Sequence, residues 1–169
     1  IKNALTANEA SETLELLWDY LENLGTGIDR TNPMTWSDDK WPTCAHGGII
    51  PSYGIGHSEA QWFVRGVPNV KKAFAKVWGT NDLLTSFDGV SLWRPWNIDP
   101  SWKTQSGQAW FHIDQHPISK PGKQCIQGLI NLLPTSKEIG GNVVIPKSHN
   151  FFKDLPQEYK ERVERLPLD

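Results

Sequence analysis

Residues 110–117 read WFHIDQHP. His112, Asp114 and His116 are side chains that bind metals or move protons, and they stand at every second position in an otherwise apolar and aromatic stretch. On an extended strand, alternate side chains share a face, so His112 and Asp114 point the same way, roughly 6.5–7 Å apart along the backbone. Two such groups can grip one ion. His116 lies about 13 Å from residue 112 in an extended chain. Pro117 follows and closes the strand, so His116 reads as a strand-end neighbour rather than a ligand. A His-x-Asp pair is what one strand contributes to a 2-His-1-carboxylate facial triad, which holds Fe(II) on one side and leaves other positions open. Alone the pattern is common, and a sheet-edge strand with satisfied polar residues would look the same.

The elements that must position this pair follow from periodicity. Residues 6–24 predict a helix. Thr6 and Glu9 form a capping box, Leu14, Leu17, Trp18, Leu21 and Leu24 form one apolar stripe, and Gly25 is placed to end it. Residues 26–56 are loop-rich, with Trp36, Trp41 and Tyr53 arguing for an ordered loop. Ser58 and Gln61 make a second capping box for a short helix through Phe63. Pro68 opens a third helix, with Val70, Phe74, Val77 and Trp78 on its buried side. After residue 82 the period becomes alternating. Residues 83–87 and 90–96 read as strands around an Asp88-Gly89 turn. Residues 109–114, 125–133 and 142–146 are further strands, and 134–142 is a turn. Residues 154–166 predict a helix with Asp154 as N-cap. Helices first and strands later describe an α+β protein around an antiparallel sheet or barrel. Residues 1–82 supply helices and an aromatic loop, and 83–169 supply the first part of a barrel plus a helix, as one domain overall.

Composition sets outer limits. The chain has 169 residues, 38% hydrophobic and 21% charged, enough for one domain with a packed core. A net charge of −2 speaks against bulk electrostatic binding of nucleic acid or an anionic membrane. Lys71, Lys72 and Lys76 read as the wet face of a helix. No apolar run reaches the length of a membrane span, and no charged n-region with an apolar stretch opens the chain, so no signal peptide is expected. Cys44 and Cys125 are too few for a disulfide framework, which fits a reducing, intracellular compartment. Nine tryptophans are a high count. Trp36, Trp41, Trp93 and Trp96 are candidates to line a pocket, with core packing the plainer role for each.

The segments around the pair carry more information as an ordered set. In CIQGLINLL (125–133), Ile126, Gly128, Ile130 and Leu132 share one face, while Cys125, Gln127, Leu129 and Asn131 share the other. GGNVVIPKSHN follows. WFHIDQHP, then QGLINLL, then GGNVVIPKSH, with GHSEAQWFVRGVPNVKKAFAKVWGTNDLLTSFDGVSLWRPW before them, resembles the phytanoyl-CoA dioxygenase-like branch of the Fe(II)/2-oxoglutarate oxygenases over about residues 47–150. The resemblance implies a double-stranded β-helix, a jelly-roll barrel related to cupins, with N-terminal helices packed on it. It implies His112 and Asp114 as the first two iron ligands, with Fe(II) and 2-oxoglutarate as cofactors. The expected reaction is hydroxylation of a C–H bond in a small organic substrate, coupled to oxidative decarboxylation of 2-oxoglutarate to succinate and CO2. Halogenation normally needs the carboxylate ligand replaced, and Asp114 is present.

The third ligand is the point of departure. His149 is tempting, but the 34 residues between Asp114 and His149 hold two recognisable strands, too few for most of a barrel at ~5–6 residues per strand. In the resembled family a Ser-His after GG…P is an interior landmark. The iron-binding His comes later, after a Gly-Asp strand opening, with an arginine further on for the 2-oxoglutarate carboxylate. The chain is therefore expected to be the front part of such a domain, its barrel incomplete at the C-terminus and finished by a further segment or a second chain, with His149 as the fallback ligand. Gln127 and Arg94 are the cosubstrate candidates, Arg94 through a bidentate carboxylate pair or else packed on Trp93 or Trp96. His57 stands where a glycine turn enters a helix, a place that attracts anions but also fits a plain cap, and His46 has no assignment. Two rivals remain. One is a cupin-like metalloenzyme of another class, such as a zinc site of His112 and Asp114 with His116 or His149. The other is a non-catalytic scaffold or binding domain.

Overall fold

Thr6 starts the first helix as its sequence requires. In the computed structural model, which describes residues 1–45, 47–103, 112–117, 119–136, 139 and 141–154, α1 spans Ala7–Glu22. The Thr6 hydroxyl accepts from the Glu9 N–H at 3.2 Å, and the Glu9 carboxylate accepts from the Thr6 N–H at 2.7 Å. The capping box satisfies two donors that a helix start would otherwise leave to water. Thr13, Leu17 and Leu21 form the buried line of α1. The helix closes at Glu22, and Gly25 takes a left-handed φ of 73° just beyond.

The chain divides into two compact units, Ile1–Thr104 and Gln105–Asp169. The core of the first is aromatic. Leu21, Ile28 and Trp41 are buried, and Trp18, Tyr20, Leu24, Trp36, Cys44 and Leu92 pack on them. The rings of Trp18 and Trp36 lie 5.1 Å apart, and Trp41 meets Trp18 edge-on at 6.3 Å. The long loop is thus ordered by its indoles, whose large faces bury area at low entropic cost. Arg30 ties the loop back to α1: its guanidinium reaches Glu15 at 2.6 Å, Glu22 at 2.7 Å and Asp19, and its N–H donates to the Glu22 carboxylate at 2.8 Å.

Helix α2 (Glu59–Gly66) and α3 (Pro68–Trp78) follow. Ser58 caps α2 by accepting from the Gln61 N–H at 3.4 Å. The reciprocal half of this second box is not made, because the Gln61 amide donates instead to the Gly89 carbonyl at 3.2 Å. α2 also runs past Phe63, the predicted end. On α3, Val70 is buried while Lys71, Lys72 and Lys76 face water. Val77, placed on the buried side by periodicity, is exposed instead, since it lies in the last turn, ahead of the left-handed Gly79 cap.

Among the described residues, paired strands are two and short: β1 (Ile49–Ile50) and β2 (Val90–Ser91), antiparallel, with Ile49 opposite Ser91. The sequence predicted that residues 90–96 would pair with 83–87. The partner is β1, from within the stretch read as loop. Two facts explain the change. Gly89 lets the chains close up, since a Cβ there would sit 2.5 Å from the Ile50 carbonyl oxygen. Phe87 spends its side chain on the ring of His57 at 4.0 Å and, edge-on, on Trp62 at 5.7 Å. In the second unit, residues 125–130 carry no assigned pairing, and a short 3₁₀ helix covers Ser148–Asp154. The predicted strand 109–114 lies partly, and the predicted helix 154–166 almost wholly, outside the described residues, as does His46. Among the described residues no helix is long and apolar enough to cross a membrane.

Candidate metal centre

His112 and Asp114 face each other. The Nε2 of His112 lies 3.0 Å from Oδ1 of Asp114, with both side chains partly open to solvent. Residues 112–113 have no assigned strand and 114–115 form a bend, so the shared face does not depend on a regular strand. Two donors held by one ion at right angles, with bonds of about 2.1 Å, stand about 3.0 Å apart. The separation of Nε2 and Oδ1 matches that requirement. The same separation suits an N–H donated by the imidazole to the carboxylate. One cation or one proton can therefore occupy the gap, and the donor set of a neutral imidazole and a carboxylate fits a first-row divalent ion.

The second oxygen of Asp114 has its own partner: the side-chain amide of Gln127 donates to Oδ2. The thirteen-residue separation is closed by side-chain bonds in the intervening turn. The Gln115 amide donates to the carbonyls of Lys120 and Gly122, each at 2.5 Å, and its oxygen accepts from the Gln124 N–H at 3.4 Å. The Lys120 N–H donates to the His116 carbonyl at 2.9 Å, and the Ser119 N–H to His116 Nδ1 at 3.1 Å. Gly122 supplies a left-handed φ of 75°. His116 is thereby committed through Nδ1 to its own turn. Sequence reading did not single out Gln115. The signal was present in PISKPGKQ, a stretch whose prolines and glycine leave backbone carbonyls in need of a donor.

The other sequence candidates each have their own surroundings. His149 sits exposed in the 3₁₀ helix Ser148–Asp154, and among the described residues no three His, Cys, Asp or Glu come together as a metal-holding group. Arg94 belongs to the first unit and is bound within it. Its guanidinium donates to the Trp36 carbonyl at 2.6 Å and lies 2.5 Å from the Asp38 carboxylate. It stacks over Trp102 at 4.5 Å and Trp41 at 5.5 Å, rather than over Trp93 or Trp96. His57 ends a 3₁₀ turn before α2 and stacks on Phe87. Trp36 and Trp41 are core residues, whereas Trp93 and Trp96 are exposed. A cleft of about 460 Å³ in the first unit is lined by Leu16, Asp19, Tyr20, Asn23, Gly54, His57, Ser58 and Glu59. One of its two carboxylates, Asp19, is the one paired with Arg30.

Comparison with known proteins places the chain near two curated relatives. It is 32% identical over all 169 residues to the protein named "Ava biosynthesis cluster protein O" from Aspergillus versicolor, of which the match covers 53%. It is 25% identical over 190 aligned positions, 91% of this chain and 53% of the other, to the protein named "Putative phytanoyl-CoA dioxygenase" from Dictyostelium discoideum. No family model matches the chain, and no solved structure does. The chain spans about half the length of the curated relatives it matches.

Proposed function

We propose that the chain is the front part of an Fe(II)- and 2-oxoglutarate-dependent oxygenase that hydroxylates a C–H bond of a small organic substrate inside the cell. The observation that carries this reading is the 3.0 Å approach of His112 Nε2 to Asp114 Oδ1, within an H-x-D sequence. Similarity to a relative named for phytanoyl-CoA dioxygenase adds to it. His112 and Asp114 would hold the iron. When bound, Fe(II) with 2-oxoglutarate supplies the oxidative decarboxylation that couples O2 to C–H hydroxylation. The protein's own part is to present one nitrogen and one oxygen side by side, keep the rest of the ion accessible, and hold those donors still. We assign the third ligand and the arginine for the 2-oxoglutarate carboxylate to a segment beyond residue 169, with His149 as the fallback ligand. The barrel is our proposal for the architecture that this segment completes.

The test is succinate formation from 2-oxoglutarate by the full-length protein, with His112→Ala and Asp114→Ala beside it. Both variants are expected to keep the wild-type far-UV circular dichroism and lose turnover. Turnover at the wild-type rate in either variant overturns the ligand assignment.

A further inference from the structure

We propose that Gln127 is a positioning residue for the metal centre: its amide engages Oδ2 of Asp114 and leaves Oδ1, beside His112 Nε2, as the one carboxylate oxygen offered to a cation. The inference rests on the reading of His112 and Asp114 as ligands. It departs from the sequence expectation that Gln127 contacts 2-oxoglutarate.

A carboxylate can bind a cation through one oxygen or both. An open ferrous site needs its carboxylate to use one, because a chelating carboxylate would fill a position required by the cosubstrate or O2. In this chain the two oxygens are already distinguished, Oδ1 by His112 and Oδ2 by Gln127. An amide suits the task. It donates a hydrogen bond without bringing a positive charge that would compete with the cation. Its orientation is dictated by chemistry, because an ionised carboxylate only accepts and the nitrogen must face it.

Gln127 reaches Asp114 because Gln115 closes the turn between them. The Gln115 nitrogen faces two carbonyl oxygens and its oxygen faces a backbone N–H. That orientation is likewise forced. One glutamine thus fixes the return of the chain, and the other fixes the carboxylate.

The experiment titrates the full-length protein with Co(II), a redox-stable probe, with and without 2-oxoglutarate. Wild type, Gln127→Met, Gln127→Ala and His112→Ala are compared. Methionine keeps the length of the side chain but has no donor. Gln127 is exposed, so both substitutions are expected to fold, as circular dichroism will check. Both Gln127 variants are expected to bind Co(II) about 10–100-fold more weakly in the absence of 2-oxoglutarate, with altered Co(II) visible bands as Asp114 turns toward two-oxygen coordination. Unchanged Co(II) affinity and bands, with only 2-oxoglutarate binding weakened, would overturn the positioning role and return Gln127 to the cosubstrate. Unchanged Co(II) affinity in His112→Ala would overturn the metal reading beneath it, so the two failures are distinguishable.

Discussion

The guanidinium of Arg94 lies 2.5 Å from the carboxylate of Asp38, fifty-six residues earlier, and this pair fastens β2's trailing segment to the aromatic loop. The Arg94 side chain is only 12% exposed, whereas that of Asp38 is 80% exposed. The pair is therefore a half-wet contact whose worth comes as much from the Trp36 carbonyl and the two indole faces as from the charge.

Arg94→Ala is expected to destabilise the first unit by about 1–3 kcal/mol, from a lost charged hydrogen bond to a carbonyl and two cation–π contacts. Arg94→Lys should recover only part, because an ammonium lacks the planar fork that serves Trp36 and Asp38 together. Urea melts of the three proteins make the comparison. A variant with unaltered stability and a raised KM for 2-oxoglutarate would place Arg94 on the cosubstrate instead.

Arg30 gives a pH-dependent prediction. Its hydrogen bonds hold the Glu22 carboxyl below the ordinary value of 4.5. A carboxyl depressed in the folded state stabilises at pH above its unfolded value, and that contribution disappears as pH falls through the lower, folded value. Arg30→Ala should thus lower the melting midpoint by about 2–4 °C at pH 7. The gap between variant and wild type should narrow as the pH is taken below 4.5. A gap that stays constant down to pH 3 would show that packing of the Arg30 stem, not the ion network, is what the substitution removes.

What could be read from the sequence was local. The Thr6–Glu9 box, the Leu17–Leu21 line and the α3 lysine face follow from spacing within a few residues, and the structure has them. The convergence of His112 with Asp114 also followed from a two-residue step, although the backbone there is a bend and not a regular strand. What escaped was decided across long separations. Ile49–Ile50 pairs with Val90–Ser91 because Gly89 admits a carbonyl. The second capping box is half-made because Gln61 finds Gly89, twenty-eight residues on. Arg94 is drawn to Asp38, Trp41 and Trp102. Spacing rules carry no information about such partners, since they depend on how the loops are folded back.

The assignment of the third ligand separates His149 from a later residue. His149→Ala in the full-length protein is expected to cost modest activity at most and to leave iron affinity in place, because His149 belongs to an exposed 3₁₀ helix. Loss of iron binding in a folded His149→Ala protein would close the triad within these 169 residues.

The most direct measurement of the central claim is an anaerobic titration of the full-length protein with Fe(II) in the presence of 2-oxoglutarate, followed by visible absorption. Chelation of 2-oxoglutarate by a ferrous ion with open positions should produce a weak metal-to-ligand charge-transfer band that saturates at one iron per chain, and His112→Ala and Asp114→Ala should abolish it. A full-strength band in either variant, or no band in the wild-type protein, would contradict a metal centre built on His112 and Asp114.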